Sequence, residues 1–206
     1  MSTSDVYQFH VWLRGLSPMI WRRLLLRSDQ TLADLHDTLQ ISFGWSDFHL
    51  HRLRIHGRDF GVSRLGGSSF YQNANQVRLA EFHFRLGERF LYEYDFGDHW
   101  EHQIRLERIL PIIPEKAYPV CIGGKRSSPP EDCGGVAAFQ QQRDEAPWRA
   151  QELLDRIAGC ARTQDRLALR DLAEEIPTLQ TWLTAHRFDR RQVNRELRQQ
   201  ATQEAR

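Results

Sequence analysis

The sequence predicts an α+β fold, with β-strands in the first half of the chain and helices in the last third. Three patterns support this prediction. Apolar residues alternate with polar or amphipathic ones over residues 7–13, which is the two-residue period of a half-buried strand. The same alternation runs through residues 90–106 on both sides of Gly97-Asp98, a pair typical of a hairpin turn. From about residue 136 onward the apolar residues recur at helical spacing.

The elements before the hairpin are marked by local signals. Residues 15–18 predict a turn into a second extended run over residues 20–27. Thr31 followed by Asp34 resembles a capping box, in which each side chain bonds the backbone of the other residue. Leucines then follow at helical spacing until Gly44, so we expect an amphipathic helix of about three turns.

The middle of the chain carries the histidine-rich motif HLH. We expect a strand over residues 49–55, which places His49 and His51 on one face because strand side chains alternate. Residues 57–76 are rich in Gly, Ser and Asn and predict a loop or an irregular hairpin. A short helix is predicted over residues 79–86.

The motif YDFGDHWEH concentrates titratable side chains around a single glycine. With Gly97 and Asp98 as the two central residues of the turn, Glu93 pairs with His102. Residues paired across a hairpin share a face, so this register makes Glu93 and Asp95 neighbours of His102. A shift by one residue would move every side chain to the other face of the sheet.

The last third of the chain combines an irregular segment with helices. Prolines and glycines over residues 111–135 predict a long ordered loop without regular structure. Helices are expected over residues 148–157, 167–176, 179–186 and 189–198. Residues 199–206 have nothing apolar to bury, so we expect this tail to fray.

A single domain is expected. The 206 residues with 40% hydrophobic content are enough for one substantial core, and no Ser/Gly-rich linker divides them. We expect this domain over residues 6–198, with an α+β core at 6–145 and C-terminal helices at 146–198.

The composition limits the classes of function. Lys and Arg (28) nearly balance Asp and Glu (27), so the net charge of +1 provides no global attraction for a polyanion. The N-terminal residues lack the layout of a signal peptide, and no apolar run reaches the roughly 20 residues of a membrane span. We therefore expect a cytoplasmic protein without a membrane partner. Three cysteines are an odd number and favour thiols or metal ligands over a disulfide framework.

Several motifs, in a fixed order, resemble those of a known family. They are VWLRGLSPMIWRRLLL, TLADLHDTLQISFGWSDFHLHRLRIHG, FLYEYDFGDHWEHQI, YPVCIGG, PPEDCGG and FDRRQVNREL. This set looks like the plasmid pRiA4b ORF-3-like family, also labelled a transposon-passenger, TnpR-like family, and the resemblance extends from about Val6 to Leu197. It implies a curved, mainly antiparallel sheet packed on helices and an association with plasmids or mobile elements.

The resemblance implies no agreed biochemical activity. The TnpR label points to a resolvase, but the chain has no serine-recombinase nucleophile motif. Many relatives have a cysteine at the position of Ser128, so a three-cysteine metal loop would be incomplete here.

A metal site is one prediction for the polar motifs. His49 and His51 would supply two imidazole ligands to zinc or a similar divalent ion, and His102 a third, with a hairpin carboxylate beside them. Cys121 and Cys133 are a separate candidate pair across the Pro/Gly-rich loop. The alternative is that the histidines are hydrogen-bonded core residues and the cysteines are small buried thiols.

Catalysis is a second prediction. A histidine flanked by carboxylates is typical of general acid–base chemistry, and Asp95, Asp98 and His102 are the candidate residues for a metal-assisted hydrolase or nuclease. The alternative is structural: Asp98 as a turn residue, Asp95 paired with an arginine, and His102 in the core.

A binding module is the third class. Arginines near aromatic residues at 21–23 and 45–58 would suit phosphates or single-stranded nucleic acid. The C-terminal helix adds Arg187, Arg190, Arg191, Arg195 and Arg198. Charge-balanced helices of this kind are more often solvated faces. A protein partner is an equal alternative, with Trp12 and Trp45 as anchors. The sequence as a whole predicts a ligand- or metal-binding module, in a regulatory role, built from the HLH strand, the hairpin and the PPEDCGG loop.

Overall fold

A computed structural model describes residues 5–62 and 70–204 and shows an eight-stranded open sheet with helices, which confirms the α+β fold. The strands are β1 (Asp5–Leu13), β2 (Trp21–Arg27), β3 (His51–Ile55), β4 (Arg58–Gly61), β5 (Gln72–Asn73), β6 (Arg89–Tyr94), β7 (Trp100–Pro111) and β8 (Val120–Lys125). The helices are α1 (Leu32–Phe43), α2 (Gly135–Thr163), α3 (Arg166–Leu183) and α4 (Arg190–Glu204), with a 3₁₀ turn at Leu79–Phe82.

The sheet is mainly antiparallel and has the strand order β5-β4-β3-β6-β7-β1-β2-β8. Among the strands of the described residues, only the short pair of β4 and β5 is parallel. The alternation in β1 has the predicted consequence, since Phe9 and Val11 are fully buried while His10 and Trp12 lie on the outer face. The inner face packs against α1, where Phe43 contacts β7.

Helix α1 begins and ends at the predicted residues. The Thr31 hydroxyl accepts a hydrogen bond from the Asp34 amide at 3.1 Å, and the Asp34 carboxylate accepts one from the Thr31 amide at 2.7 Å. Gly44 ends the helix with a φ of 70°, a left-handed conformation that glycine adopts easily. The capping box therefore fixes the start of the segment that leads into the polar motifs.

Strand β8 contradicts the prediction that residues 111–135 lack regular structure. It pairs antiparallel with β2, and its glycines allow the close approach of Trp21 and Phe188. Residues 57–76 form β4 and β5 around a segment, 63–69, that lies outside the described residues.

The C-terminal helices are longer than predicted. Helix α2 continues through Pro147, and α3 continues through Pro177, which joins two helices that were expected to be separate. Residues 199–204, predicted to fray, continue α4. Among residues 5–62 and 70–204, none of the helices has the length and apolar character needed to span a bilayer.

Candidate functional site

The tip of the β6–β7 hairpin is a loop over residues 95–99 rather than a two-residue turn. Tyr92 pairs with His102, so the predicted pairing of Glu93 with His102 is wrong by one residue. The longer loop closes because Asp95 has a φ of 55° and His99 a φ of 58°. A one-residue shift in register moves a side chain to the opposite face of the sheet. Glu93 therefore lies on the outer face, where it contacts His99 at 2.7 Å.

His102 points into the core instead of toward the hairpin carboxylates. It is fully buried, with its ring centroid 4.6 Å from that of Phe43 and 5.2 Å from that of Tyr92. Neither ring nitrogen has a hydrogen-bond partner among the described residues. Burial lowers the pKa of His102 to about 3, so the imidazole is neutral at physiological pH. The predicted set of Asp95, Asp98 and His102 is therefore not assembled in one place.

A different set of donors meets beside the hairpin: His49, Asp95 and Asp132 offer ligand atoms within 4.8 Å of one another. His49 Nδ1 lies 3.7 Å from Asp95 Oδ1, and His49 Nε2 lies 3.3 Å from Asp132 Oδ1. The Asp95 carboxylate is oriented by the amide of Gly97, which donates to Oδ1 at 2.9 Å. Each of the three predicted motifs, HLH, the hairpin and the PPEDCGG loop, supplies one of these donors.

Glu131 anchors the PPEDCGG loop next to this cluster. Its carboxylate accepts hydrogen bonds from the Tyr94 hydroxyl at 2.6 Å and from the Ser46 amide at 3.1 Å. Burial alone would raise the pKa of Glu131, but the bonds from Ser46 and Tyr94 lower it below its ordinary value. Trp45 adds a bond from its indole N–H to the Pro129 carbonyl at 2.9 Å. The loop that carries Asp132 is thus held by the end of α1 and by β6.

Asp98 and the cysteines have other positions. The Asp98 carboxylate accepts a hydrogen bond from the Gly134 amide at 3.1 Å and ties the hairpin to the start of α2. Burial, together with the charge of Asp98, raises the pKa of Cys133 to about 11. Cys121 is buried in β8, where burial raises its thiol pKa. Among the described residues neither cysteine belongs to a group of three close donors.

A second donor group lies at the other side of the HLH motif. It comprises His36 of α1, Asp47 and His51, again within 4.8 Å. His36 Nε2 lies 2.9 Å from Asp47 Oδ1, and its Nδ1 lies 2.8 Å from the Tyr92 hydroxyl. The rings of His36 and His51 stack with centroids 3.5 Å apart. Parallel stacking directs the imidazole nitrogens alongside each other rather than toward a common point, so this group is less suited to holding an ion as it stands.

His49 and His51 therefore do not share a site. Strand β3 begins at His51, and His49 lies in the bend before it, so strand alternation does not apply to the pair. Sequence reasoning missed His36, Asp47 and Asp132 as donors. His36 lies beside Leu35 on the buried face of α1, and a histidine on this leucine-rich helix face was the signal in the sequence that could have identified it as a donor.

The comparisons with known proteins fit this architecture. The model of the plasmid pRiA4b ORF-3-like protein family matches residues 5–152. The chain belongs to this family. The pRiA4b ORF-3-like core thus extends from β1 into α2 and includes all the donors described above.

Two proteins are similar to this chain over most of its length. The chain is 31% identical over 159 residues to the uncharacterized protein y4hQ of Sinorhizobium fredii (strain NBRC 101917 / NGR234), and the match covers 77% of this chain and 76% of that protein. It also resembles the crystal structure of a protein of unknown function, MM3350, from Methanosarcina mazei Go1, with a TM-score of 0.67 and 28% identity. That match covers 93% of this chain and 97% of the other. The names of these relatives give no reaction, so function must be argued from the site.

Proposed function

We propose that the protein is a divalent-metal-binding module whose ion lies between His49, Asp95 and Asp132. The observation that carries the proposal is the meeting of one imidazole and two carboxylates from three segments distant in sequence. Two donors bonded to the same ion lie at most about 4.2 Å apart, because the bonds are about 2.1 Å long. Donor atoms within 4.8 Å therefore need only a small side-chain rotation to close around an ion.

The surrounding charge favours a cation. Two further carboxylates lie on the same hairpin and loop as the ligands Asp95 and Asp132. Asp98 of the hairpin accepts a bond from Gly134 of the loop, and Glu131 of the loop accepts one from Tyr94 of β6. Among the described residues, none of these four carboxylates forms an ion pair with Lys or Arg. A divalent ion would supply the positive charge that the cluster otherwise lacks.

The donor types indicate which ions fit. One imidazole with two carboxylates suits zinc or manganese. The Asp132 side chain is 76% exposed and that of His49 is 26% exposed, so one side of the ion would face solvent. Water, a small anionic ligand or a carboxylate of a protein partner would bind there, which fits a regulatory binding module.

Backbone conformation supports the assignment of these loops to function. The aspartates of both donor groups, Asp47, Asp95 and Asp132, have φ values of 56°, 55° and 56°. Left-handed conformations are unfavourable for residues other than glycine, although aspartate tolerates them better than most. Such positions cluster at ligand-binding sites, where the fold holds a side chain in a required orientation.

Metal-assisted hydrolysis is the alternative proposal. It would use the open side of the ion to activate a water molecule. The acid–base set predicted for it, Asp95, Asp98 and His102, is not assembled, so binding is the better supported function. The plasmid named in the family's description supports a mobile-element association for either function.

Elemental analysis and calorimetric titration of the untagged chain with ZnCl₂ and MnCl₂ test the proposal. We expect about one ion per chain, with affinity reduced more than tenfold by His49→Ala or Asp132→Asn, since even residues that only support a ligand change affinity 10–100-fold. His186→Ala and Asp171→Asn, both at exposed positions, are the matched controls and should bind as the parent does.

Two results would overturn the assignment. The first is folded protein that binds neither ion after chelator treatment and re-addition. The second is binding that survives both site variants but is lost in His51→Ala, which would transfer the ion to the group with His36 and Asp47.

A further inference from the structure

A groove of about 510 Å³ lies between α4 and β8, and its charged lining is entirely basic. It is lined by Lys116, Arg190, Arg191, Arg195 and Arg198, with Asn194 and the β8 residues 120–122. No aspartate or glutamate of the described residues contributes to the lining. This concentration contrasts with the balanced charge of the whole chain, which is +1.

The arginines form one stripe because of the helical period. Positions 190, 191, 194, 195 and 198 follow the spacing of residues on a single helix face. The adjacent face of α4 carries Val193 and Leu197, which are buried in the core. The hydrophobic face therefore determines the direction in which the arginine stripe points.

Asn194 fixes the stripe against the sheet. Its side-chain oxygen accepts a hydrogen bond from the Cys121 amide at 2.8 Å, and its side-chain nitrogen donates to the Cys121 carbonyl at 2.8 Å. Arg190 donates to the Ile122 carbonyl at 3.0 Å. These bonds thus hold α4 and the first arginine of the stripe against β8.

The positive charge of the stripe is only partly compensated within the described part of the chain: Asp189, at the start of α4, interacts electrostatically with Arg191 and Arg195. None of its four arginines, nor Lys116, forms an ion pair there. Arg191 and Arg195 are like charges four residues apart, and the first turn of α4 carries cations where the helix dipole favours anions. Asp189 also uses its carboxylate to cap the amides of Arg191 and Gln192. The one carboxylate of Asp189 does not balance the four arginines of the stripe, so an external anion would offset the remaining positive charge.

We propose that this groove binds the phosphodiester backbone of a nucleic acid without reading its sequence. Arginine guanidinium groups match phosphate oxygens in geometry and charge. The stripe from Arg190 to Arg198 is about 12 Å long, which accommodates about four phosphates of one strand at about 3.4 Å of duplex axis each. Within residues 5–62 and 70–204 no aromatic side chain lines the groove, so base stacking is not provided and contact is limited to the backbone.

Fluorescence anisotropy with a labelled random-sequence 20-base-pair duplex, between 50 and 200 mM KCl, tests the proposal. About four phosphate contacts predict a slope of about −3.6 for log affinity against log salt. The double variant Arg191→Gln/Arg195→Gln should flatten the slope by about 2 and weaken binding at least tenfold at 50 mM KCl. The matched control Arg166→Gln/Arg170→Gln removes the same charge from exposed positions of α3 and should leave both values unchanged.

Three outcomes would overturn the proposal: no duplex binding at 50 mM KCl, equal losses in the groove and control variants, or binding of an acidic polypeptide more tightly than the duplex. Circular dichroism of each variant distinguishes loss of binding from loss of α4. The groove shares no residue with the proposed metal site, so each proposal can fail without the other.

Discussion

The buried neutral imidazole of His102 makes a quantitative prediction about acid stability. Its pKa is about 3 in the folded protein, against 6.5 for an unperturbed histidine. Between these values the unfolded chain binds a proton that the folded chain does not. Titration of His102 therefore leaves the free energy of unfolding unchanged above pH 6.5 and lowers it as the pH falls from 6.5 toward 3.

The size of the effect follows from the two pKa values. At pH 5 the difference in proton binding by His102 lowers the free energy of unfolding by about 2 kcal/mol relative to pH 7.5. The variant His102→Leu has no titrating group at this position and similar volume. It should therefore lack this part of the pH dependence, whatever its stability at pH 7.5.

Urea denaturation at pH 7.5, 6 and 5 measures the prediction. The difference in unfolding free energy between His102→Leu and the parent should shift by about 2 kcal/mol in favour of the variant from pH 7.5 to pH 5. His186→Leu, at an exposed position, is the control and should show no such shift. Parallel pH profiles for the parent and His102→Leu would refute a buried, uncharged His102.

Three further predictions concern stability. Tyr92→Phe should destabilise the fold by about 1–3 kcal/mol, because the hydroxyl bonds two buried side chains. Gly135→Ala should lower the free energy of unfolding by about 2–4 kcal/mol, because the added Cβ would lie 2.7 Å from the backbone oxygen of Asp98 and the residue has a φ of 77°. Gly159→Ala is the matched control: Gly159 lies in open space within α2, so this change should stabilise the fold by about 0.5–1 kcal/mol. Glu107→Gln should destabilise by about 1–3 kcal/mol at neutral pH, because the bond from Arg23 lowers the pKa of this carboxylate to about 2. The parent should lose that advantage as the pH falls from the ordinary glutamate pKa of 4.5 toward about 2.

Urea and thermal unfolding measure all of these changes. Tyr71→Phe removes an exposed hydroxyl that bonds Arg58, and should change stability by less than about 0.5 kcal/mol. Glu101→Gln, which removes an exposed pairing with Arg14, is the control for Glu107. Equal effects of the two glutamate variants, or a neutral Gly135→Ala, would contradict the contacts described here.

Local signals in the sequence were sufficient for part of the fold. The Thr31 capping box and the stop at Gly44 define α1 because both depend on residues within one turn. The alternation in β1 was equally direct. The hairpin register could not be predicted in this way. The positive φ values of Asp95 and His99 lengthen the turn, and no local sequence pattern requires a longer turn. Strand β8 depends on pairing with β2, about 100 residues earlier, which local patterns do not reveal.

The prolines misled the prediction of helix ends. Pro147 and Pro177 lie inside α2 and α3, although the missing N–H and the ring usually end or bend a helix. For the candidate site, the convergence of HLH, the hairpin and the PPEDCGG loop could be predicted from the concentration of polar residues in each motif. The individual donors could not, because the position of Asp132 depends on how Glu131 is held by Tyr94 and Ser46.

The contact between Asn194 and Cys121 has a consequence for solubility. β8 is the last strand of the sheet, and a free outer edge there would offer unpaired amides and carbonyls to the edge of a second molecule. The carboxamide of Asn194 occupies one amide and one carbonyl in the manner of a further strand, and Arg190, also of α4, donates to the Ile122 carbonyl. A chain shortened before residue 190 would therefore be exposed to strand-to-strand self-association.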